Sequence, residues 1–183
     1  MSDSLDGGDA RAKGDSAGGD PSSCVLCYLI CPQDASGAFV GALMLTDGRT
    51  RPLHFGYVSP IKPTAMQRLL YGPTLREHLK IDVIAKKLFD GLPQVPDVTF
   101  VDSSELLCAR RLSAAPLALL ARRDPGTAGS PNLSTVVYDT NDNADDREAI
   151  GSLIARLEPQ VDLVEPFARM IEALKEAIKV GGK

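Results

Sequence analysis

The 183-residue chain has no Trp, two His and only 5% aromatic residues, and its longest apolar run, Cys24 to Cys31, is eight residues. Each shortage excludes something. Sparse aromatics leave few platforms for stacking bases, which argues against sequence-specific recognition of single-stranded nucleic acid. Eight apolar residues fall far short of the ~20 that span a bilayer as a helix, and the chain does not open with a basic segment and apolar stretch of the secretory kind. A cytoplasmic protein with no membrane partner is the expectation. Phosphate-cradling motifs are missing too: neither G-x-x-x-x-G-K-[ST] nor G-x-G-x-x-G occurs, and the G-x-x-x-G spacing of Gly37 and Gly41 carries no Lys. No G-x-S-x-G elbow accompanies His54 or His78, so nucleophilic catalysis has no sequence support.

Hydrophobic residues make up 44% of the chain and charged residues 24%, the balance of one globular domain. The first 23 residues hold five Gly, five Ser and five Asp, with Leu5 the one large aliphatic side chain after Met1. That is too little apolar surface to offset the entropy of ordering. Residues 1–23 therefore read as a disordered acidic tail and residues 24–183 as a single domain. The net charge of −4 conceals a division: Arg49 to Arg123 carries 12 basic against 6 acidic residues, a balance of +6, and the remainder sums to −10.

Cys24, Cys27 and Cys31 form C-x-x-C-x-x-x-C, a spacing that invites a metal or redox reading. The residues between them are strand formers, and alternation along a strand sends Cys24 and Cys27 to opposite faces. Buried thiols in a reducing compartment are expected instead, with no metal and no cofactor.

Cys24 to Cys31, Ala38 to Thr46 and Arg51 to Val58 read as strands, with Asp47-Gly48 suited to a type I′ hairpin turn. Thr64 is placed to cap a helix in which Met66, Leu69 and Leu70 share a face. Gly72-Pro73 interrupts it, and Leu75, Leu79, Val83, Ile84, Leu88 and Leu92 trace the stripe of a second helix. Asp97 to Val101 is a strand entering a short helix to about Leu112, capped by Asp102 or Ser103. Pro116 to Ala121 and Thr135 to Tyr138 are further strands, separated by a Gly- and Pro-rich loop from Arg122 to Leu133. Helices from about Asp145 to Leu157 and from Leu163 to Lys179 follow. The fold class is thus α/β: a mixed sheet with an antiparallel three-strand meander, then strand-helix units, then C-terminal helices.

This order of elements, over Cys24 to Leu157, resembles the ribonuclease H-like fold, including relatives similar to endonuclease V. The resemblance implies carboxylates in the first strand, on the first helix, at the end of the fourth strand and near the last helix, holding two divalent ions about 4 Å apart for phosphodiester hydrolysis. Asp102 takes the fourth-strand place, Glu77 the helix place and Asp139 or Asp146 the C-terminal place, with Mg²⁺ or Mn²⁺ as cofactor. The first strand has no carboxylate, and Asp34 falls in the link beyond it. With the set incomplete, the expected function is a non-catalytic binding or assembly protein. The alternative is a metal-dependent nuclease or phosphoryl-transfer enzyme using Asp34, Asp102 and Asp139 or Asp146.

Two charged clusters complete the reading. Asp139 to Glu148 is rich in Asp and Asn but places Ala144 and Ile150 where a calcium loop needs Gly and Glu, so it reads as a capped helix N-terminus. The basic middle offers Arg49, Arg51, Arg68, Arg76, Lys80 and Lys87 as binding residues. Sharing an exposed face, they would form a patch for an acidic protein partner or a weak nucleic-acid contact. The seam of Phe167, Ile171, Leu174 and Ile178 either closes the sheet or meets a partner.

Overall fold

The computed structural model describes residues 23–34, 36–123 and 136–181; the acidic tail through residue 22, most of the loop expected from Arg122 to Leu133 and the first residue of the strand expected from Thr135 lie outside the described residues. Six strands, β1 (Val25–Ile30), β2 (Phe39–Asp47), β3 (Pro52–Ile61), β4 (Val98–Val101), β5 (Leu117–Arg122) and β6 (Val136–Asp139), form one sheet in the order β3-β2-β1-β4-β5-β6. β2 is antiparallel to both β1 and β3, β4 runs parallel to β1 and β5 to β4, and β6 returns antiparallel on the far edge. The meander and strand-helix units expected from sequence are both present. The order 3-2-1-4-5 with an antiparallel second strand is ribonuclease H-like.

β1 lies at the centre because its side chains are apolar on both faces. Cys24, Leu26, Tyr28 and Ile30 enter one core, and Cys27, Leu29 and Cys31 the other. The first core is closed by α4 (Ala144–Leu157) and α5 (Glu165–Gly181), whose Phe167, Met170 and Leu174 are buried against the sheet. Of the expected seam, Phe167 and Leu174 are buried and Ile178 packs half-buried against this core, whereas Ile171 is exposed and Met170 takes the inward place instead. Asn143 caps α4 by accepting from the Asp146 N–H at 3.0 Å.

The second core lies beneath α2 (Leu75–Glu77), a π-helix (His78–Ala85), α3 (Lys86–Asp90) and a 3₁₀ helix (Ser104–Arg111); α1 (Ala65–Tyr71) precedes them and buries no residue. Thr64 caps α1 in a capping box with Gln67, and Gly72, at φ +50°, ends it. Two local expectations are corrected. The β2–β3 turn is not type I′: the Asp47 carboxylate accepts from the N–H groups of Arg49 (2.9 Å) and Arg51 (3.0 Å), and Thr50 takes φ +59°. This is a three-residue loop with a left-handed third position. The 3₁₀ helix starts without a side-chain cap from Ser103. No helix among the described residues is long and apolar enough to cross a membrane.

Candidate functional site

β1 and β4 lie side by side with Leu29 opposite Val101, and the chain leaves their carboxyl ends in different directions. Such divergence opens a crevice beyond the strand ends. Its walls are the link from β1 to β2, α1, α2 and the 3₁₀ helix. Asp34 shapes the link by accepting from the Ser36 N–H and hydroxyl (both 2.8 Å) and the Ala38 N–H (2.9 Å). Gly37 turns it at φ +77°, a conformation open to glycine at little cost.

The candidate acids stand apart. The Ser36 hydroxyl, followed by the Ala38 N–H, holds the Asp34 carboxyl below its ordinary pKa. Asp102, at the mouth of the crevice, is open to solvent on one side; the protein packed around its carboxyl raises its pKa, against the pull of its own backbone N–H and of Lys80. Asp139 stands in the row Leu29–Val101–Leu119–Asp139, two strands or roughly 10 Å from β4, where it accepts from the Asn141 N–H. Asp146 is buried, gripped by Arg110 through Nε (2.5 Å) and Nη2 (3.1 Å), and accepts from the Leu117 N–H at 3.1 Å. Glu77 pairs with Arg111 at 3.3 Å. Among the described residues no three His, Cys, Asp or Glu side chains converge to hold a metal ion. Burial pushes the thiols of Cys24 up to about 11 and of Cys27 and Cys31 up to about 12, so they remain protonated at neutral pH.

The candidate cations do not form one patch. Arg49 and Arg51 lie at the β2–β3 turn; Val25 pairs with Asp47, which puts that turn at the opposite end of the sheet from the crevice. Lys80 was expected on an exposed helix face and is buried instead, its Nζ 2.6 Å from a Glu105 carboxylate oxygen. Leu79, Lys80 and Ile81 are buried in succession within the π-helix. Arg76 Nε reaches the same carboxylate at 2.9 Å, and the Lys80 contact above all holds Glu105 below its ordinary pKa. Lys87 lies on α3, three turns of helix beyond Arg76.

Arg68 and Arg76 do come together. They line one cavity of about 300 Å³ with Gln33, Ser36, Phe39 and Gly72. A second cavity of about 220 Å³ shares Arg76 and Pro73 with it and contains Lys80, Glu105 and the exposed Cys108. Arg68 donates its Nε weakly to the Pro63 carbonyl at 3.4 Å, and Arg76 uses its Nε on Glu105. The terminal N–H groups of both guanidiniums make no bond to any described residue. These terminal N–H groups are the donors the crevice presents beside the carboxylate of Glu105.

No family model matches the sequence, and no curated protein matches it. Among solved structures, an Argonaute of Marinitoga piezophila, crystallised with a 5′-OH guide RNA, is similar at a TM-score of 0.30 and 11% identity over 55% of this chain. The chain spans 16% of the length of that Argonaute. The ribonuclease H-like assignment rests on the strand order itself.

Sequence reasoning missed Glu105, which organises the cationic side of the crevice, and Gln33 and Ser36, which line its far wall. One signal for Lys80 was legible in retrospect: apolar neighbours on both sides, Leu79 and Ile81, within a helix.

Proposed function

We propose that the chain is a non-catalytic binding or assembly protein that docks an acidic partner at the carboxyl-end crevice. The observation supporting this is the pairing of Arg68 with Arg76 on one cavity: Arg68 has no carboxylate partner among the described residues and Arg76 meets Glu105 through its Nε, while Lys80, Arg110, Arg111 and Arg122 of the same basic segment also meet the chain's own carboxylates. Two guanidiniums at one cavity suit a carboxylate, because each presents paired donors in a fixed fork. Catalysis draws less support. His78 is stacked on Tyr71 with ring centres 4.6 Å apart and contacts Asp82 at 3.1 Å, and the buried thiols are protonated. A cytoplasmic location fits the four free cysteines.

A fluorescein-labelled oligoglutamate peptide tests the reading. Binding to the wild type should weaken as salt screens the contact, and Arg68→Glu combined with Arg76→Glu should weaken it about tenfold or more at low salt. Equal affinity of wild type and variant would sink the proposal. Mg²⁺- or Mn²⁺-dependent cleavage of DNA or RNA, lost in Asp102→Ala, would replace it with the nuclease reading. Tighter binding of a single-stranded oligonucleotide than of the peptide, lost in the double variant, would make the partner a nucleic acid.

A further inference from the structure

The 300 Å³ cavity has three kinds of wall. Arg68 of α1 and Arg76 of α2 are its cations. Glu105 accepts from the Arg76 Nε on both carboxylate oxygens, at 2.9 and 3.0 Å, which fixes that guanidinium and leaves its terminal N–H groups without a bond among the described residues. Glu105 itself belongs to the neighbouring cavity, and no described carboxylate lines this one. Phe39 and Leu75, both members of the second core, supply apolar wall together with Pro63. Gln33 supplies an acceptor: its Nε2 donates to the Gly37 carbonyl at 3.1 Å, and its Oε1 makes no bond to a described residue.

These walls discriminate among anions. A Glu or Asp side chain brings a carboxylate on a short methylene stem, so it leaves Phe39 and Leu75 uncovered and offers Gln33 no donor. A phosphate group has no apolar part at all. A free amino acid adds an ammonium, which would meet two guanidiniums and no carboxylate. The last residue of a polypeptide carries an α-carboxylate, a peptide N–H and a side chain on a single Cα. We infer that the cavity takes the C-terminal residue of a partner chain that ends in an apolar side chain. Its α-carboxylate accepts from the terminal N–H groups of Arg68 and Arg76, in the paired geometry a guanidinium offers. Its N–H donates to Gln33 Oε1, and its side chain covers Phe39, Leu75 and Pro63. At about 300 Å³ the cavity stands at the small end of ligand sites, a size for a chain end and not for a helix, and capture of a terminal carboxylate is a recurrent mode of peptide recognition. This rests on the acidic-partner reading above and names which carboxylate is taken.

The test titrates the full chain with four peptides labelled at the N-terminus: one ending in Gly-Ser-Gly-Leu with a free carboxylate, the same sequence as its C-terminal amide, the same sequence ending in Gly in place of Leu, and an amidated oligoglutamate. The free-acid Leu peptide should bind about tenfold or more tightly than its amide and about threefold or more tightly than the Gly-ended peptide. Arg68→Glu with Arg76→Glu should erase the preference for acid over amide. Gln33→Leu should weaken the free-acid Leu peptide about threefold and leave amidated oligoglutamate unchanged. The comparison of acid with amide is made on the wild type, so it decides the matter whether or not a variant folds. If amidated oligoglutamate binds through the two arginines while the Leu acid and amide bind equally, the acidic-partner reading survives and this inference fails. If no peptide binds, both fail. Competition by N-acetyl-leucine as strong as by the Leu peptide would make the ligand a small carboxylate, and displacement by inorganic phosphate where acetate has no effect would make the cavity a phosphate site; either result overturns the inference.

Discussion

Asp146 and Lys80 are both buried charges with a partner, and they differ in what each would leave behind. Removing the Asp146 carboxylate strands the Arg110 guanidinium and the Leu117 N–H together. Breaking a buried pair from one side costs about 3–5 kcal/mol, and the Arg110 side chain, 39% exposed, recovers part of this from water. Asp146→Ala should therefore lose about 2–3 kcal/mol of unfolding free energy. Lys80→Met leaves Glu105 half-exposed and still held by Arg76, so its stability should change by less than about 1 kcal/mol. Urea unfolding of both variants checks the contrast, and equal losses would contradict it. The same pair shows how far the site could be read from sequence. Arg68 and Arg76 were legible as exposed cations on helical segments. Glu105, Asp146 and the fate of Lys80 were not, because their partners lie 25 to 36 residues away, beyond any local pattern.

At the level of elements, Gly41 links a strand to the unusual winding above it. A Cβ at this position would fall 2.2 Å from Cγ2 of Ile84 in the π-helix, so β2 and that helix can approach this closely only over a glycine. The G-x-x-x-G spacing is accounted for without phosphate chemistry: Gly37 turns the link and Gly41 admits Ile84. Gly41→Ala should destabilise the fold by about 1–3 kcal/mol. Ile84→Ala should cost less in that background than in wild type, because it removes the clashing methyl. Additive losses in the double-mutant cycle would mean that the two residues do not meet. Strands and helices were otherwise readable, since the wholly apolar run of β1 marks a strand buried on both faces and the stripe from Leu75 to Leu88 marks the buried face of the helical segment. The winding was not, because an α-helical stripe and a π-helix share most of the same apolar positions. The hairpin turn misled for another reason: Asp47-Gly48 favours type I′ by backbone preference, but the Asp47 side chain bonds two N–H groups of the loop and imposes a different turn.

Across the whole molecule, the charge division seen in sequence is largely answered internally. Arg76 and Lys80 meet Glu105, Lys86 meets Asp90, and Arg111 meets Glu77 and Asp82, all within the basic segment. Arg110 and Arg122 reach Asp146 and Asp162 in the acidic C-terminal part. These bonds tie that part to the sheet, and α5 adds the apolar half of the closure through Leu163 just before it and Phe167, Met170 and Leu174 on its inner face. Arg169 adds a bond from its Nη2 to the Thr50 carbonyl of the β2–β3 turn at 2.7 Å. At about 1.5–3 kcal/mol for each fully buried side chain, those four apolar residues contribute roughly 6–12 kcal/mol, comparable to the entire stability of a domain this size. A chain truncated after Asp162 should therefore lose its cooperative thermal transition and bind a hydrophobic dye such as ANS, because Tyr28 and Phe100 would face water. A truncated chain that melted cooperatively near the full-length midpoint would make α5 an appendage, free to meet a partner of its own.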